Sequence, residues 1–143
     1  AGAADGFGAE AELAAVSASP RRDDIDVAGY VTSEELEDLY ARASIFAFPS
    51  LDEGFGMPVL EAMARGVAVV TSNCSAMPEV AGDAALLVDP HDEEDIADAL
   101  ARLAVEDGFR HELVERGRAH VERFTWDRAV QETWQVYQRL LQA

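Results

Sequence analysis

The sequence predicts an α/β protein built on a parallel sheet and followed by C-terminal helices. Short runs rich in β-branched and aromatic residues alternate with helical patterns along the first two thirds of the chain. One of these runs, residues 67–72, is apolar almost throughout, which is typical of a strand buried on both faces. At 143 residues, the chain is long enough for one domain with a substantial core.

Four strands are expected, each a short β-rich run that a turn or proline signal ends: residues 25–31, 44–50, 67–72 and 84–90. A helix follows the first strand, because Thr32 and Glu35 have the spacing of a capping box. A second helix, residues 58–66, has proline in its first turn and glycine after its last. Residues 75–83 are expected to form a loop with at most one turn of helix.

The C-terminal part predicts three helices, residues 93–104 with Asp92 as the cap, 107–123 and 125–142. Each has apolar side chains at helical spacing, which we expect to pack in the core. These are Ile96, Leu100 and Leu103, then Phe109, Leu113 and Val121, then Val130, Trp134, Tyr137 and Leu141. Near the start of the chain, Gly6 and Gly8 form a partial G-x-G, but no strand precedes it, so a dinucleotide fingerprint is disfavoured.

Charge excludes several classes of partner. The chain has 28 acidic and 11 basic residues, a net charge of −17, and no lysine. Such a field repels nucleic acid and anionic membranes, so we expect neither as a partner. No apolar run approaches the roughly 20 residues of a membrane span and no signal-peptide pattern opens the chain, so we expect a cytoplasmic protein.

The cysteine and the histidines point to no metal or disulfide chemistry. Cys74 is the single cysteine, which excludes an internal disulfide and fits a reducing compartment; we interpret it as a small buried or loop residue. The three histidines (His91, His111 and His120) have no metal-ligand spacing and are expected at polar, exposed positions. We therefore predict no metal site.

The stretch "FPSLDEGFGMPVLEAMARG", residues 48–66, carries the candidate chemistry. Ligands of open α/β sheets bind at the carboxyl ends of the strands, where this loop lies, and a helix N-terminus there favours a phosphate. Glu53 and Glu61 could accept hydrogen bonds from the hydroxyls of a sugar or ribose. Two simpler interpretations stay open: Glu61 could pair with Arg65 at i,i+4, worth about 0.2–0.5 kcal/mol, and Glu53 could be a solvated loop acid.

The same stretch resembles the hallmark of the retaining GT-B glycosyltransferases of family 4: two glutamates separated by seven residues, within E-G-F-G-x-P-x-L-E-A-M-A-x-G. The resemblance extends along nearly the whole chain. It includes "VAGYVTSEELEDLYARASIFAFPS" before the motif, "VAVVTSNCSAMPEVAGDAALLVDPHDEEDIADAL" after it and "RFTWDRAVQETWQVYQRLL" near the end. It implies that residues 1–143 are part of the Rossmann-like, nucleotide-sugar-binding C-terminal domain of such an enzyme.

The resemblance also implies roles for individual residues. Glu53 would contact the donor sugar as the catalytic residue, and Glu61 would accept from the ribose hydroxyls. The donor-binding set would be Glu53, Gly54, Phe55, Gly56, Met57, Pro58, Val59, Leu60 and Glu61, with the nucleobase held near Gly29, Tyr30 and Val31. The implied reaction transfers a sugar from a nucleoside-diphosphate sugar to an acceptor with retention at the anomeric carbon. No cofactor and no essential metal are implied.

One departure from the family pattern limits what this chain is expected to do. An arginine and a lysine of the family neutralise the diphosphate, and the matching segment is absent, since Ala1 and Gly2 look like the end of the second strand. We therefore expect the N-terminal acceptor-binding domain to be missing, the chain to be inactive alone, and any peripheral membrane association to occur through the missing half. The alternative is a non-catalytic or degenerate nucleotide-sugar binding module; a sugar-nucleotide epimerase is disfavoured.

The resemblance has a consequence for the sheet. In the family's strand order the first predicted strand, 25–30, would lack its usual neighbours in this chain. We expect it to close onto 44–49, to stand at an exposed edge, or to pair with another molecule.

Overall fold

The computed structural model describes residues 9–142, which fall into two compact units that meet in sequence between Arg42 and Ala43. The partial G-x-G and the proposed strand end at Ala1 and Gly2 lie outside the described residues. The assignment of residues 1–143 to one partial domain stays a prediction, and each unit is described by itself.

The first unit contains helix α1, Ala9–Ala18, a short 3-10 turn at Arg22–Asp24, and helix α2, Ser33–Arg42. The strand predicted at 25–31 is wrong, because these residues have no ladder partner within the described chain. Ile25 instead donates its N–H to the Arg22 carbonyl, and Gly29 adopts a positive φ of 64°. A β-rich run without a hydrogen-bonded neighbour has no reason to stay extended as a strand.

The capping box at the start of α2 is confirmed. The Thr32 N–H donates to Glu35 Oε2 at 2.7 Å, and the Glu35 N–H donates to Thr32 Oγ1 at 3.3 Å. Each residue thus satisfies a backbone donor that the first helical turn would otherwise leave without a partner. The Thr32 hydroxyl also donates to Glu35 Oε2, at 2.9 Å.

We expect the cap of α2 to weaken in acid. The hydrogen bonds from the Thr32 backbone and hydroxyl hold the pKa of Glu35 below its ordinary value of 4.5. Because the folded pKa is depressed, the stabilisation is present above pH 4.5 and is lost as the pH falls through the folded pKa. The Thr32 amide resonance, followed by NMR, should therefore titrate with an apparent pKa below 4.5.

The matched control for this prediction is Glu34→Gln, which removes the same charge from the same exposed turn. Glu35→Gln should lower the stability of the chain at neutral pH more than Glu34→Gln, and the difference should vanish in acid. A Thr32 amide resonance whose chemical shift does not change with pH would contradict the prediction.

The second unit is built on a parallel three-stranded sheet in the order β1-β2-β3, which confirms the predicted α/β, Rossmann-like class. The strands are Ile45–Phe48, Ala68–Ser72 and Leu86–Val88. All five residues of the central strand β2 are buried, as its apolar sequence predicts. The outer strands are shorter than predicted, since Pro49 lacks the N–H that a ladder requires and Asp89-Pro90 begins a turn.

Five helices of the second unit surround or follow the sheet: α3 Met57–Ala64, α4 Met77–Ala81, α5 Glu93–Val105, α6 Asp107–Val121 and α7 Trp126–Leu141. The single turn expected within 75–83 is α4. Asp92 caps α5 as predicted, with its side chain accepting from the N–H groups of Glu94 and Asp95 at 3.0 and 3.2 Å. Leu103 and Leu113 pack against the sheet in a cluster with Ala68, Val70 and Val88.

Helix α7 departs from the expectation. Its apolar stripe is predicted to pack in the core, yet none of its side chains is buried in the described structure. Trp126 is 87% exposed, and Val130, Trp134, Tyr137 and Leu141 are all more than half exposed. Helical spacing predicts that these residues share a face, but spacing alone does not determine what that face contacts. No helix formed by residues 9–142 is both long enough and apolar enough to cross a membrane.

Candidate functional site

Two loops meet at the carboxyl edge of the sheet. Residues 49–56 connect β1 to α3, and residues 73–76 connect β2 to α4. Because β1 and β2 are parallel neighbours, with Phe48 paired to Thr71, both loops leave the sheet at the same edge. The Thr71 hydroxyl donates to the Phe48 carbonyl at 2.8 Å, which ties the two strand ends together just before the loops begin.

Glu53 is half-buried in the first loop, and hydrogen bonds restrain both its side chain and its main chain. Ser50 Oγ donates to Glu53 Oε1 at 3.1 Å, which restrains the carboxylate. The Glu53 N–H donates to Ser75 Oγ at 3.1 Å, which fixes the main chain to the second loop. A loop acid in free solvent would have neither restraint, so these bonds argue against the interpretation of Glu53 as a solvated charge.

Cys74 lies in the second loop as a half-buried free thiol. Its Sγ is 3.5 Å from the Leu51 carbonyl, close enough for a weak S–H···O hydrogen bond. This agrees with its interpretation as a loop residue.

The two glycines of the first loop serve different needs. Gly56 has φ 97°, and a Cβ there would overlap Met77 Cε, so glycine is required by the protein's own packing. A Cβ added at Gly54 would have nothing within 4 Å, so the space beside this residue is open. Of the two, therefore, Gly54 is the one that leaves room for a ligand to approach the backbone.

Phe55 joins the loop to the end of α6. The residue is 44% exposed, and its ring makes an edge contact with Phe124 at 6.1 Å between centroids. Phe124 in turn packs against His120, with 5.3 Å between the ring centroids. The expectation that His120 is exposed is wrong, because the residue is only 9% exposed and Nε2 lies 2.8 Å from the Val80 carbonyl. Charged residues are frequent in the surrounding stretch, residues 115–123, but His120 on α6 faces α4.

The start of α3 offers a ligand main-chain atoms and the exposed side chain of Met57. Val59 and Leu60 are buried, so only their backbone could meet a ligand. Pro58 has no N–H, and the Val59 N–H already donates to the Gly56 carbonyl at 3.0 Å. The helix therefore offers fewer free donors than the sequence suggests. Met57 is more than half exposed.

Glu61 is half-buried in the second turn of α3. The contact with Arg65 exists, but Arg65 Nη1 donates to the main-chain carbonyl of Glu61 at 3.0 Å. The ion pairs found among residues 9–142 do not include the Glu61 carboxylate. Its oxygens are therefore not committed to a salt bridge within the part of the chain that the structure describes.

The residues predicted to hold the nucleobase lie in the first unit. Gly29 has a positive φ, Tyr30 is 89% exposed and Val31 is half-buried. Their role stays a prediction.

The electrostatics of the described chain are unfavourable to a diphosphate. With no lysine in the sequence, arginine supplies every basic side chain. Many of these arginines pair with carboxylates three or four residues away: Arg21, Arg42, Arg102, Arg110, Arg116, Arg118 and Arg128. Arg22 is exposed and donates to the Ile25 carbonyl. Residues 9–142 contain no group of three or more His, Cys, Asp or Glu side chains arranged to hold a metal.

Sequence reasoning missed three residues that shape this site: Ser75, Met77 and Phe124. One general rule could have indicated Ser75 and Met77. Neighbouring parallel strands end at the same edge of a sheet, which places the loop after 67–72 beside the loop that carries Glu53. No sequence rule pairs Phe55 with the Phe124 ring, which lies far away along the chain.

The family model described as glycosyl transferases group 1 matches residues 2–106. The O-antigen chain mannosyltransferase B of Escherichia coli is 43% identical over 112 residues, which cover 78% of this chain and 29% of that protein. The D-inositol 3-phosphate glycosyltransferase of Corynebacterium jeikeium (strain K411) is 38% identical over 109 residues, 75% of this chain and 26% of that protein.

Two solved structures also superpose on this chain. Sucrose-phosphate synthase from Thermosynechococcus elongatus superposes with a TM-score of 0.80 at 27% identity, over 96% of this chain and 35% of that one. The C-terminal domain of a glycosyl transferase group 1 family protein from Francisella tularensis superposes with a TM-score of 0.63 at 29% identity, over 81% and 60%. The chain thus spans between a quarter and a third of the length of the two curated relatives.

Proposed function

This chain belongs to the family of glycosyl transferases group 1, and from that premise we propose that it forms part of the donor site for a nucleoside-diphosphate sugar. The observation that carries the proposal is the restrained acid Glu53 in the loop at the carboxyl edge of the sheet, followed in the adjoining helix by the uncommitted acid Glu61. Glu53 is oriented by Ser50 and Ser75, and the carboxylate of Glu61 is not committed to an ion pair within the described residues. Carboxylates in such positions are suited to accept hydrogen bonds from vicinal hydroxyls.

We assign the residues roles along the donor. Glu53 accepts from hydroxyls of the transferred sugar and is the catalytic residue, and the open backbone at Gly54 lets the sugar approach. Glu61 accepts from the ribose hydroxyls. The main chain from Met57 to Leu60 lies between the two acids in sequence, so it would contact the ribose and phosphates, aided by the positive end of the α3 dipole.

The proposed reaction is transfer of the sugar to an acceptor hydroxyl with retention at the anomeric carbon. The bond between the anomeric carbon and the diphosphate oxygen breaks, the acceptor oxygen forms a bond on the same face, and its proton is lost to the departing diphosphate or solvent. Oriented acceptors on the sugar hydroxyls hold the anomeric carbon where transfer occurs, which is a contribution of positioning. We propose no cofactor and no essential metal in this step.

The charges of the chain limit this activity. Departure of a diphosphate requires cationic stabilisation of the developing negative charge. The chain has a net charge of −17 and no lysine, and an exposed helix dipole contributes only about 0.3–1 kcal/mol. We therefore propose that the chain alone does not transfer sugar and that an acceptor-binding domain and a cationic group complete the enzyme.

Donor titration of the isolated chain tests the proposal. We expect guanosine diphosphate mannose or uridine diphosphate glucose to bind no more tightly than roughly millimolar, near −4 kcal/mol, by calorimetry at low salt. NMR shifts should concentrate at residues 53–61. Mannose is the first sugar to test because the Escherichia coli relative is named a mannosyltransferase. The nucleoside diphosphate without sugar should shift Glu61 and the helix start but leave the Glu53 loop unchanged.

Two results would contradict parts of this proposal. Saturating donor that shifts no resonance within 53–61 would exclude the donor site. Micromolar affinity, or transfer to an added acceptor, would show that the chain supplies its own cation, and Arg21 and Arg22 would be the first residues to replace.

The second candidate function is a nucleotide-sugar binding module without catalysis. The acidic, lysine-free composition favours it, since the chain itself has few groups that could stabilise a leaving diphosphate. A protein that contains this chain together with an acceptor-binding domain distinguishes the two: turnover of the donor indicates the transferase, and donor binding without turnover indicates the module.

A further inference from the structure

We propose that Ser75 is a positioning residue, whose hydroxyl sets the orientation of Glu53 from the neighbouring loop. This inference rests on the proposed function of Glu53 as a donor ligand. It adds to the site a residue 22 positions beyond Glu53 that contacts the loop and need not touch the sugar.

The Ser75 hydroxyl is at the centre of three polar contacts. Its oxygen accepts from the Glu53 N–H at 3.1 Å. Its proton can go to Asp52 Oδ1 at 2.9 Å or to the Glu53 carbonyl at 3.0 Å. One side chain on the loop after β2 thus binds the main chain of Glu53 and the side chain of the preceding acid.

These contacts give the two adjacent acids, Asp52 and Glu53, different hydrogen-bond partners. Asp52 Oδ1 faces the Ser75 hydroxyl, whereas Glu53 Oε1 faces the Ser50 hydroxyl on its own loop. Ser50 restrains the Glu53 carboxylate while Ser75 restrains its backbone, so the acid is held in advance of binding.

The backbone of Ser75 gives an independent reason to assign it a role. Among residues 9–142, Ser75 is the one residue other than glycine with a positive φ, 54°. This left-handed conformation is less favourable for a residue with a Cβ than for glycine. Glycine would be the less strained choice at this turn, so the hydroxyl is the feature that serine adds, and strain of this kind is characteristic of functional sites.

Two variants separate the hydroxyl from the backbone strain. Ser75→Ala removes the hydroxyl and keeps the strain, whereas Ser75→Gly removes both. The melting temperature should depend on the backbone strain that a Cβ causes at this position, so Ser75→Gly should be the more stable of the two variants. Hydrogen exchange of the Glu53 amide should depend on the Ser75 hydroxyl. Because both variants lack that hydroxyl, the exchange should accelerate about three- to tenfold in both. The dissociation constant for guanosine diphosphate mannose should rise by a similar factor in both.

Ala76→Gly is the matched control, because it loosens the same turn without changing the hydroxyl. We expect near-normal Glu53 exchange and donor affinity in this variant. The proposal is overturned if Ser75→Gly behaves like the unchanged chain while Ser75→Ala is impaired, since the conformation and not the hydroxyl would then be what matters.

The outcomes also separate this inference from the proposed function. If the donor shifts no resonance of residues 53–61 in the unchanged chain, the donor site is refuted. The role of Ser75 is then refuted too, because Glu53 would have no donor ligand to be oriented for. A normal donor response in the unchanged chain, together with unaltered Glu53 exchange and donor affinity in both variants, refutes the role of Ser75 alone.

Discussion

Replacing Glu61 with glutamine is expected to lower kcat/KM for the donor by about 10- to 150-fold in a catalytically competent protein that contains this chain. Hydrogen bonds to a charged acceptor contribute about 1.5–3 kcal/mol, and each 1.4 kcal/mol is a factor of ten. Glutamine keeps the size of the side chain but loses the charge and one acceptor oxygen. Because the carboxylate forms no ion pair within the described residues, the melting temperature should change by less than about 2 °C.

Glu122→Gln is the control for this prediction, since it makes the same chemical change at an exposed residue after α6. It should leave both kinetics and stability unaltered. The opposite pattern for Glu61→Gln, a large loss of stability with normal kinetics, would show that Glu61 is a structural residue and would revive its pairing with Arg65.

Replacing Gly56 with alanine is expected to destabilise the fold by about 2–5 kcal/mol. The left-handed backbone costs a residue with a Cβ about 1–2 kcal/mol, and forcing a methyl group into a packed site costs about 1–3 kcal/mol more. The site is packed because the new Cβ would overlap the terminal methyl group of Met77, which is fully buried and would have to shift against its packed neighbours. The melting temperature should fall by about 5–15 °C in a thermal scan.

Gly54→Ala provides the matched control on the same loop. Its Cβ would meet nothing within 4 Å, and its φ is not positive, so its stability should stay close to that of the unchanged chain. If the space beside Gly54 receives the sugar, donor binding should nevertheless weaken. Equal stability of the Gly54 and Gly56 variants would contradict the packing described for Met77.

The features that the sequence predicts correctly are those determined by neighbouring residues. The capping box of Thr32 and Glu35 and the cap at Asp92 form within a single turn of helix. The burial of 67–72 agrees with a run whose first four residues are all apolar, which is typical of a strand covered on both faces. These interactions depend on residues at most a few positions apart, so local pattern is sufficient to predict them.

The predictions that fail depend on a partner elsewhere in the chain. Residues 25–31 have the composition of a strand but no ladder neighbour among the described residues. The stripe of α7 has the spacing of a core face but is exposed, whereas His120, in a polar segment, is buried against α4. Composition indicates whether a segment is able to form a strand or a buried face. Whether it does so depends on the other segments that pack against it.

The candidate site shows the same division. The sequence by itself determined the family, the parallel α/β class and the motif that contains Glu53 and Glu61, because the motif is contiguous and its strand–loop–helix context is local. Only the tertiary structure decided that Ser75 anchors Glu53, that Met77 requires a glycine at 56 and that Phe124 supports Phe55. The physical reason is that parallel strands bring loops together at one edge of a sheet, and the contacts made there depend on backbone geometry that residues far apart in sequence set jointly.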